Sequence, residues 1–186
     1  MFHKDEIEGT PCSEYRPKVL LAQSNKDDLE KIAHCAEACD KYNFVLASTG
    51  TDIINKINSE YFDAVVLGLK FPDITGSTIA YLIHEFDPLI SIIFLSSYNS
   101  NILISVVEAI GCKFLDKAEA MENLPELCEF IYQTSMETSC ENDKLISKEF
   151  VNDRRNTYKQ YEKLSLPKSI AEVVSLRRNV SYAGSK

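Results

Sequence analysis

Apolar and polar positions along this chain follow two rhythms. Short apolar runs occupy residues 19–22, 44–47, 64–69, 92–95 and 113–115. The runs at 64–69 and 92–95 are apolar without alternation, the pattern of strands covered on both faces. Between the runs, apolar residues recur at helical spacing. Leu29, Ile32, Ala33 and Ala36 form a first stripe, and Ile53, Ile54 and Ile57 a shorter second. Ile79, Leu82, Ile83 and Phe86 repeat the spacing, as do Leu103, Val106, Val107 and Ile110, and then Leu124, Leu127, Cys128 and Ile131. Five strands thus alternate with five helices between residues 18 and 134. That order predicts an α/β fold, a doubly wound five-stranded parallel sheet between helices. In such sheets ligands sit beyond the carboxyl ends of the strands. Functional residues are therefore expected at 22–25, 68–76, 96–99 and 116–118.

Composition narrows the picture. The 186 residues are 45% hydrophobic and 26% charged, enough for a real core. No apolar run approaches the roughly 20 residues that span a bilayer, so no membrane partner is expected. Residues 1–17 are polar, hold Pro11 and Pro17, and lack an apolar signal segment; they read as a flexible leader. Six cysteines without a signal segment point to the cytoplasm and to free thiols. The net charge of −8 argues against a general nucleic-acid binder. The charge is uneven. Residues 1–140 hold 22 acids and 10 bases, whereas residues 141–186 hold 6 acids and 10 bases. A polar cluster at residues 139–142 marks the expected boundary. The expected organisation is a leader at 1–17, an α/β domain at 18–136, and a basic helical C-terminal extension at 141–186.

The stretch YFDAVVLGLKFPDITG, residues 61–76, resembles the third strand and following loop of response-regulator receiver domains. Asp63, Pro72 and Gly76 match that family's frame. KVLLAQSNKDD stands where the family has its first strand and acidic pair, SIIFLSS where it has its fourth strand, and GCKFLDKA where it has its fifth. The resemblance covers about 117 residues and implies the flavodoxin-like receiver fold. It also exposes departures. Gly68 occupies the position of the phosphoacceptor Asp, and Gln23 and Ser24 occupy the two acidic positions. Ser96 and Lys117 remain, with Phe114 at the switch aromatic.

The side chains decide what such a site can do. An acyl phosphate needs a carboxylate nucleophile, and glycine has no side chain. Magnesium at a phosphoryl-transfer site wants hard anionic oxygens, and Gln23 and Ser24 offer only neutral ones. Asp63 lies five residues upstream, roughly 16 Å away at about 3.3 Å per residue, at the wrong end of the sheet. Asp27, Asp28 and Asp73 are on the correct side. The first two fit better as first-turn residues that complement a helix dipole. Lys117 reads as one half of an ion pair with Asp116 or Asp73. Ser96 reads as a backbone-bonding hydroxyl at a strand end. A Ser96–Lys117 pair holding an anion is the minor alternative.

The expectation is a degenerate pseudo-receiver without catalytic activity or cofactor, acting as a regulatory protein-interaction or dimerisation module. The resemblance implies a signalling face over residues 100–110, 113–117 and 121–136, with Val106, Glu108, Lys113 and Phe114 in it. Two other readings stay open. One is a phosphoryl-accepting or ligand-sensing receiver that uses displaced acids. The other is a transcription regulator whose extension contacts DNA. In that extension Arg154, Arg155, Tyr158, Tyr161, Arg177 and Arg178 are candidate contact residues, for a protein partner ahead of DNA.

Other constellations are thin. Cys35 and Cys39 share a helix face beside His34, but tetrahedral zinc wants four ligands and no second pair has suitable spacing, so free thiols are expected. His3, His34 and His84 have no evident Ser or Cys partner. Neither GxxxxGKS/T nor GxGxxG occurs, so nucleotide cradles are not expected.

Overall fold

The five apolar runs form five parallel strands, with helices in every crossover. In order these are β1 (Lys18–Ala22), α1 (Lys26–Cys39), β2 (Asn43–Ala47), α2 (Gly50–Ser59), β3 (Ala64–Leu67) and α3 (Gly76–Phe86). They continue as β4 (Ser91–Ser96), α4 (Asn101–Ala109), β5 (Lys113–Asp116), α5 (Lys117–Glu122) and α6 (Leu124–Leu145). The structure, a computed structural model, describes residues 15–98 and 100–145, with side chains as far as Glu137. The strand order is β2-β1-β3-β4-β5. The order changes direction at β1, which puts the carboxyl ends of β1 and β3 side by side.

Alternate residues of each strand face opposite sides of the sheet, and the core divides accordingly. Leu20, Val65, Leu67, Ile92 and Phe94 pack with Ile53 and Ile57 of α2, Ile79 and Ile83 of α3, and Val107 of α4. Val19, Leu21, Val66, Ile93 and Leu95 pack with Leu29, Ile32 and Ala36 of α1, and with Leu127, Cys128 and Ile131 of α6. Both faces are dry, which is why β3 reads as an unbroken apolar run. Five of the helices begin with an oxygen-bearing cap (Asn25, Thr49, Thr75, Ser100 and Asp116), each accepting from an amide in the first turn.

Four expectations are adjusted. β3 ends at Leu67, because Leu69 turns out of the sheet and its carbonyl accepts from the Gly76 amide at 2.8 Å. A short helix not anticipated precedes the last one: Asp116 caps α5 through the Ala118 and Glu119 amides, and α6, which carries the expected stripe, begins with Pro125 in its first turn. α6 then runs unbroken through residues 139–142, where the polar cluster stands. Residues 15–17, counted in the leader, are attached to the domain. The Tyr15 hydroxyl donates to both oxygens of buried Asp63, at 2.7 and 2.8 Å, and the Pro17 carbonyl accepts from Asn43. Asp63 also accepts from the Tyr61 hydroxyl and the Lys18 amide, at 2.8 and 2.7 Å. It closes the amino end of the sheet, as its position upstream of the strand implies. The rest of the leader lies outside the described residues.

α4 is the most exposed of the crossover helices. Of its stripe only Val107 is buried, while Ile102 is 80%, Val106 55% and Ile110 49% exposed. α4 sits at the β5 edge and reaches the core only through Leu103 and Val107.

Two glycines carry opposite constraints. A Cβ on Gly76 would lie 2.0 Å from the Gly68 carbonyl oxygen, a backbone atom that cannot move aside. A Cβ on Gly68 would meet only the Gln23 side chain, at 3.2 Å. Gly76→Ala is therefore expected to lose roughly 3 kcal/mol or more in urea unfolding, whereas Gly68→Ala changes stability by less than about 1 kcal/mol.

Candidate functional site

The carboxyl ends of β1, β3, β4 and β5 open into one cleft of about 250 Å³. Gln23, Ser24, Gly68, Ser96 and Lys117 all line it, so the five expected site positions are brought together. Tyr98 lines it as well and stands 63% exposed at its mouth. Gln23 is buried beside Gly68, and its amide fills the space that a side chain at 68 would enter. Its Nε2 points to the Leu95 carbonyl at 3.5 Å, and its Oε1 accepts from Lys117 Nζ at 3.3 Å. Ser96 bonds backbone as expected, its hydroxyl accepting from the Tyr98 amide at 3.0 Å.

Lys70 and Lys117 are the two lysines of the lining, and the partner of Lys117 differs from the two anticipated. Lys117 Nζ pairs with Asp28 Oδ2 at 2.5 Å, both side chains about one-fifth exposed. Asp116 is occupied as the cap of α5. Asp73 is occupied at α2, where it accepts from the Thr51 hydroxyl and from the Gly50 and Thr51 amides, each at 2.7 Å. Asp27 and Asp28 lie in the first turn of α1, as expected. Asp28 therefore serves the helix dipole and the ion pair together. Sequence reasoning missed the second role because 89 positions separate Asp28 from Lys117. The cleft lining itself carries no carboxylate among the described residues.

With the strand order, the loop geometry and the cleft described, sequence and structure comparisons agree. The pattern of the response regulator receiver domain matches residues 19–129. The chain belongs to the response regulator receiver domain family. No curated protein matches it. Among solved structures, it is similar to the signal receiver domain of a Luxo repressor protein from Vibrio parahaemolyticus. That match has 22% identity and a TM-score of 0.65, over 71% of this chain and 99% of that one. It is also similar to the signal receiver domain of an HD domain-containing protein from Pseudomonas fluorescens, at 22% identity and TM-score 0.62, over 70% and 94%. A CheY-like receiver domain protein from Methanospirillum hungatei matches at 18% identity and TM-score 0.52, over 64% and 98%. At these identities the likeness establishes the fold. Receiver domains are modules of two-component signal transduction, and this chain is one of them. Among the described residues no helix is long and apolar enough to cross a membrane.

The receiver's expected signalling face divides into open and occupied residues. Val106 and Glu108 project from α4 and are exposed. Phe114 is half-buried against the core. Lys113 is engaged with α6, donating to Thr134 Oγ1 at 3.1 Å and Glu137 Oε2 at 2.8 Å, with its ammonium 5.3 Å from the Phe130 ring. Ile102 and Ile110, inside the expected range 100–110 but not singled out there, are exposed on the same face. Arg154, Arg155, Tyr158, Tyr161, Arg177 and Arg178 lie outside the described residues.

Two cysteine expectations are corrected. His84 does have a cysteine neighbour: its Nε2 lies 3.6 Å from Cys112 Sγ. Burial pushes that thiol up to about 11, the opposite of nucleophile activation. And Cys35 and Cys39 do meet a third cysteine, Cys128 of α6. The signal lay in strand order, which puts the first and last helices on one side of the sheet.

Asp73 supplies a pH test. The Thr51 hydroxyl first, and then the Thr51 and Gly50 amides, hold its carboxyl down at about 2, below the usual 3.8. A carboxyl depressed in the folded state stabilises above its unfolded value, and that contribution is lost as pH falls through the folded value. Between about pH 4 and pH 2 the wild type is expected to lose stability more steeply than Asp73→Asn, measured by urea midpoints across that range.

Proposed function

We propose that this receiver domain works without phosphorylation, as a regulatory protein-interaction module. One observation carries the reading. Lys117 is already paired with Asp28 and hydrogen-bonded to Gln23, over a floor at Gly68 that offers no nucleophilic carboxylate. The cleft also lacks the anionic oxygens that would hold magnesium beside a phosphoryl group. Displaced acids are poor substitutes, since Asp28 and Asp73 are each committed elsewhere.

The working surface in this reading is the face of α4 and β5. Ile102, Val106 and Ile110 recur every fourth residue and form an exposed apolar stripe, with Glu108 at its side. An apolar helix stripe open to solvent suits docking of a protein partner, with a second copy of the chain as one such partner.

Incubation of the full chain with Mg²⁺ and acetyl phosphate is expected to leave its intact mass unchanged. A gain of one phosphoryl group overturns the reading. Concentration-dependent sedimentation of the wild type tells self-association from capture of another protein. In either case Val106→Glu, a change at an exposed position, is expected to weaken the association by at least about tenfold, ~1.4 kcal/mol. Association equal in wild type and Val106→Glu places the interface elsewhere.

A further inference from the structure

A cluster of reactive side chains stands apart from both the cleft and the α4 face. Cys35 and Cys39, one turn apart on α1, meet Cys128 of α6, and the three sulfurs lie within 4.8 Å of one another. All three are free thiols; Cys128 is fully buried and the other two are half-buried. Tyr42 adds an independent observation. It is 3% exposed, and its hydroxyl has no hydrogen-bond partner. That hydroxyl faces the cluster: burial first, then Cys128, Cys39 and Cys35, push its ionisation upward. A buried hydroxyl left without a partner calls for a specific reason.

We propose that Cys35, Cys39 and Cys128 form a three-thiolate site for a soft d10 metal cation of the Zn²⁺ or Cu⁺ class, with the Tyr42 hydroxyl on its buried flank. Geometry supports this. Zinc–sulfur bonds of about 2.3 Å put tetrahedral sulfurs about 3.8 Å apart. Sulfurs already within 4.8 Å need to close by at most about 1 Å, a small side-chain rotation. The ligand set selects the metal. Sulfur without carboxylate favours soft cations and rejects Mg²⁺ and Ca²⁺. Cu⁺ is satisfied by three thiolates. Zn²⁺ leaves one tetrahedral position for a further donor such as water.

A bound cation would take the place of the thiol protons. It would also tie α1 to α6, the first helix to the last, and stabilise the fold by mass action.

The test uses the reduced full chain with Cys12→Ser and Cys140→Ser, so that neither of the cysteines whose side chains are not described supplies sulfur. The metal-free protein is titrated anaerobically with Co²⁺ as a spectroscopic stand-in for zinc. The expected result is thiolate-to-cobalt charge-transfer absorption that saturates at one equivalent and is displaced by Zn²⁺. A parallel titration with Cu⁺ against a coloured chelator tells which cation is held more tightly. Cys39→Ser, at a half-buried position that spares the core, is expected to weaken cobalt binding by at least about tenfold. Cys112→Ser, which removes a buried thiol outside the cluster, keeps it. Absence of saturable absorption, or equal uptake by Cys39→Ser, overturns the proposal. So does a metal-indifferent chain that instead forms a disulfide within the trio under mild oxidant.

Discussion

A fully parallel sheet has no face it can leave wet, and the rest of this molecule follows from that. Strands inside the sheet must be apolar on both sides, so the crossovers must be helices long enough to cover them. β1, β3 and β4 meet this and are buried almost throughout, whereas the edge strands β2 and β5 stay partly exposed. Strand side chains divide by parity into two cores, one under α2, α3 and α4 and the other under α1 and α6. Polar chemistry is thereby driven to the ends of the strands. At the amino end it is structural, with Asp63 receiving two tyrosine hydroxyls and the Lys18 amide. At the carboxyl end it forms the cleft.

The same constraint explains what could be read in advance. Strand positions, the helical stripes of α1, α2 and α3, and the cleft membership of Gln23, Ser24, Gly68, Ser96 and Lys117 all follow from period and order, which are local properties. The misreadings share a different origin. Asp28 with Lys117, Tyr15 with Asp63, and Cys128 with Cys35 are pairs far apart in the chain, visible only once the sheet has brought the elements together. The short helix α5 has no apolar stripe to announce it and depends on Asp116 turning its carboxylate onto two amides at the end of β5.

The two glycines flanking the β3–α3 loop show how one family frame separates into scaffold and chemistry. Gly76 is fixed by backbone contact: its amide meets the Leu69 carbonyl and its Cα the Gly68 carbonyl. It keeps α3 seated on β3 whatever the cleft contains. Gly68 is under no comparable backbone demand, because the atoms opposite it belong to the end of a flexible amide. A position free of scaffold duty can change its chemistry without unseating the fold.

The Lys117–Asp28 pair has one more consequence. A cleft that confines several like charges is locally frustrated: it stays open or strained until a counter-ion arrives to relieve it. Here opposite charges meet each other and a neutral amide lies between them and the floor. The pair is thus balanced within the chain itself, and it works as a strap: it fastens the start of α1 to the start of α5 across the carboxyl end of the sheet.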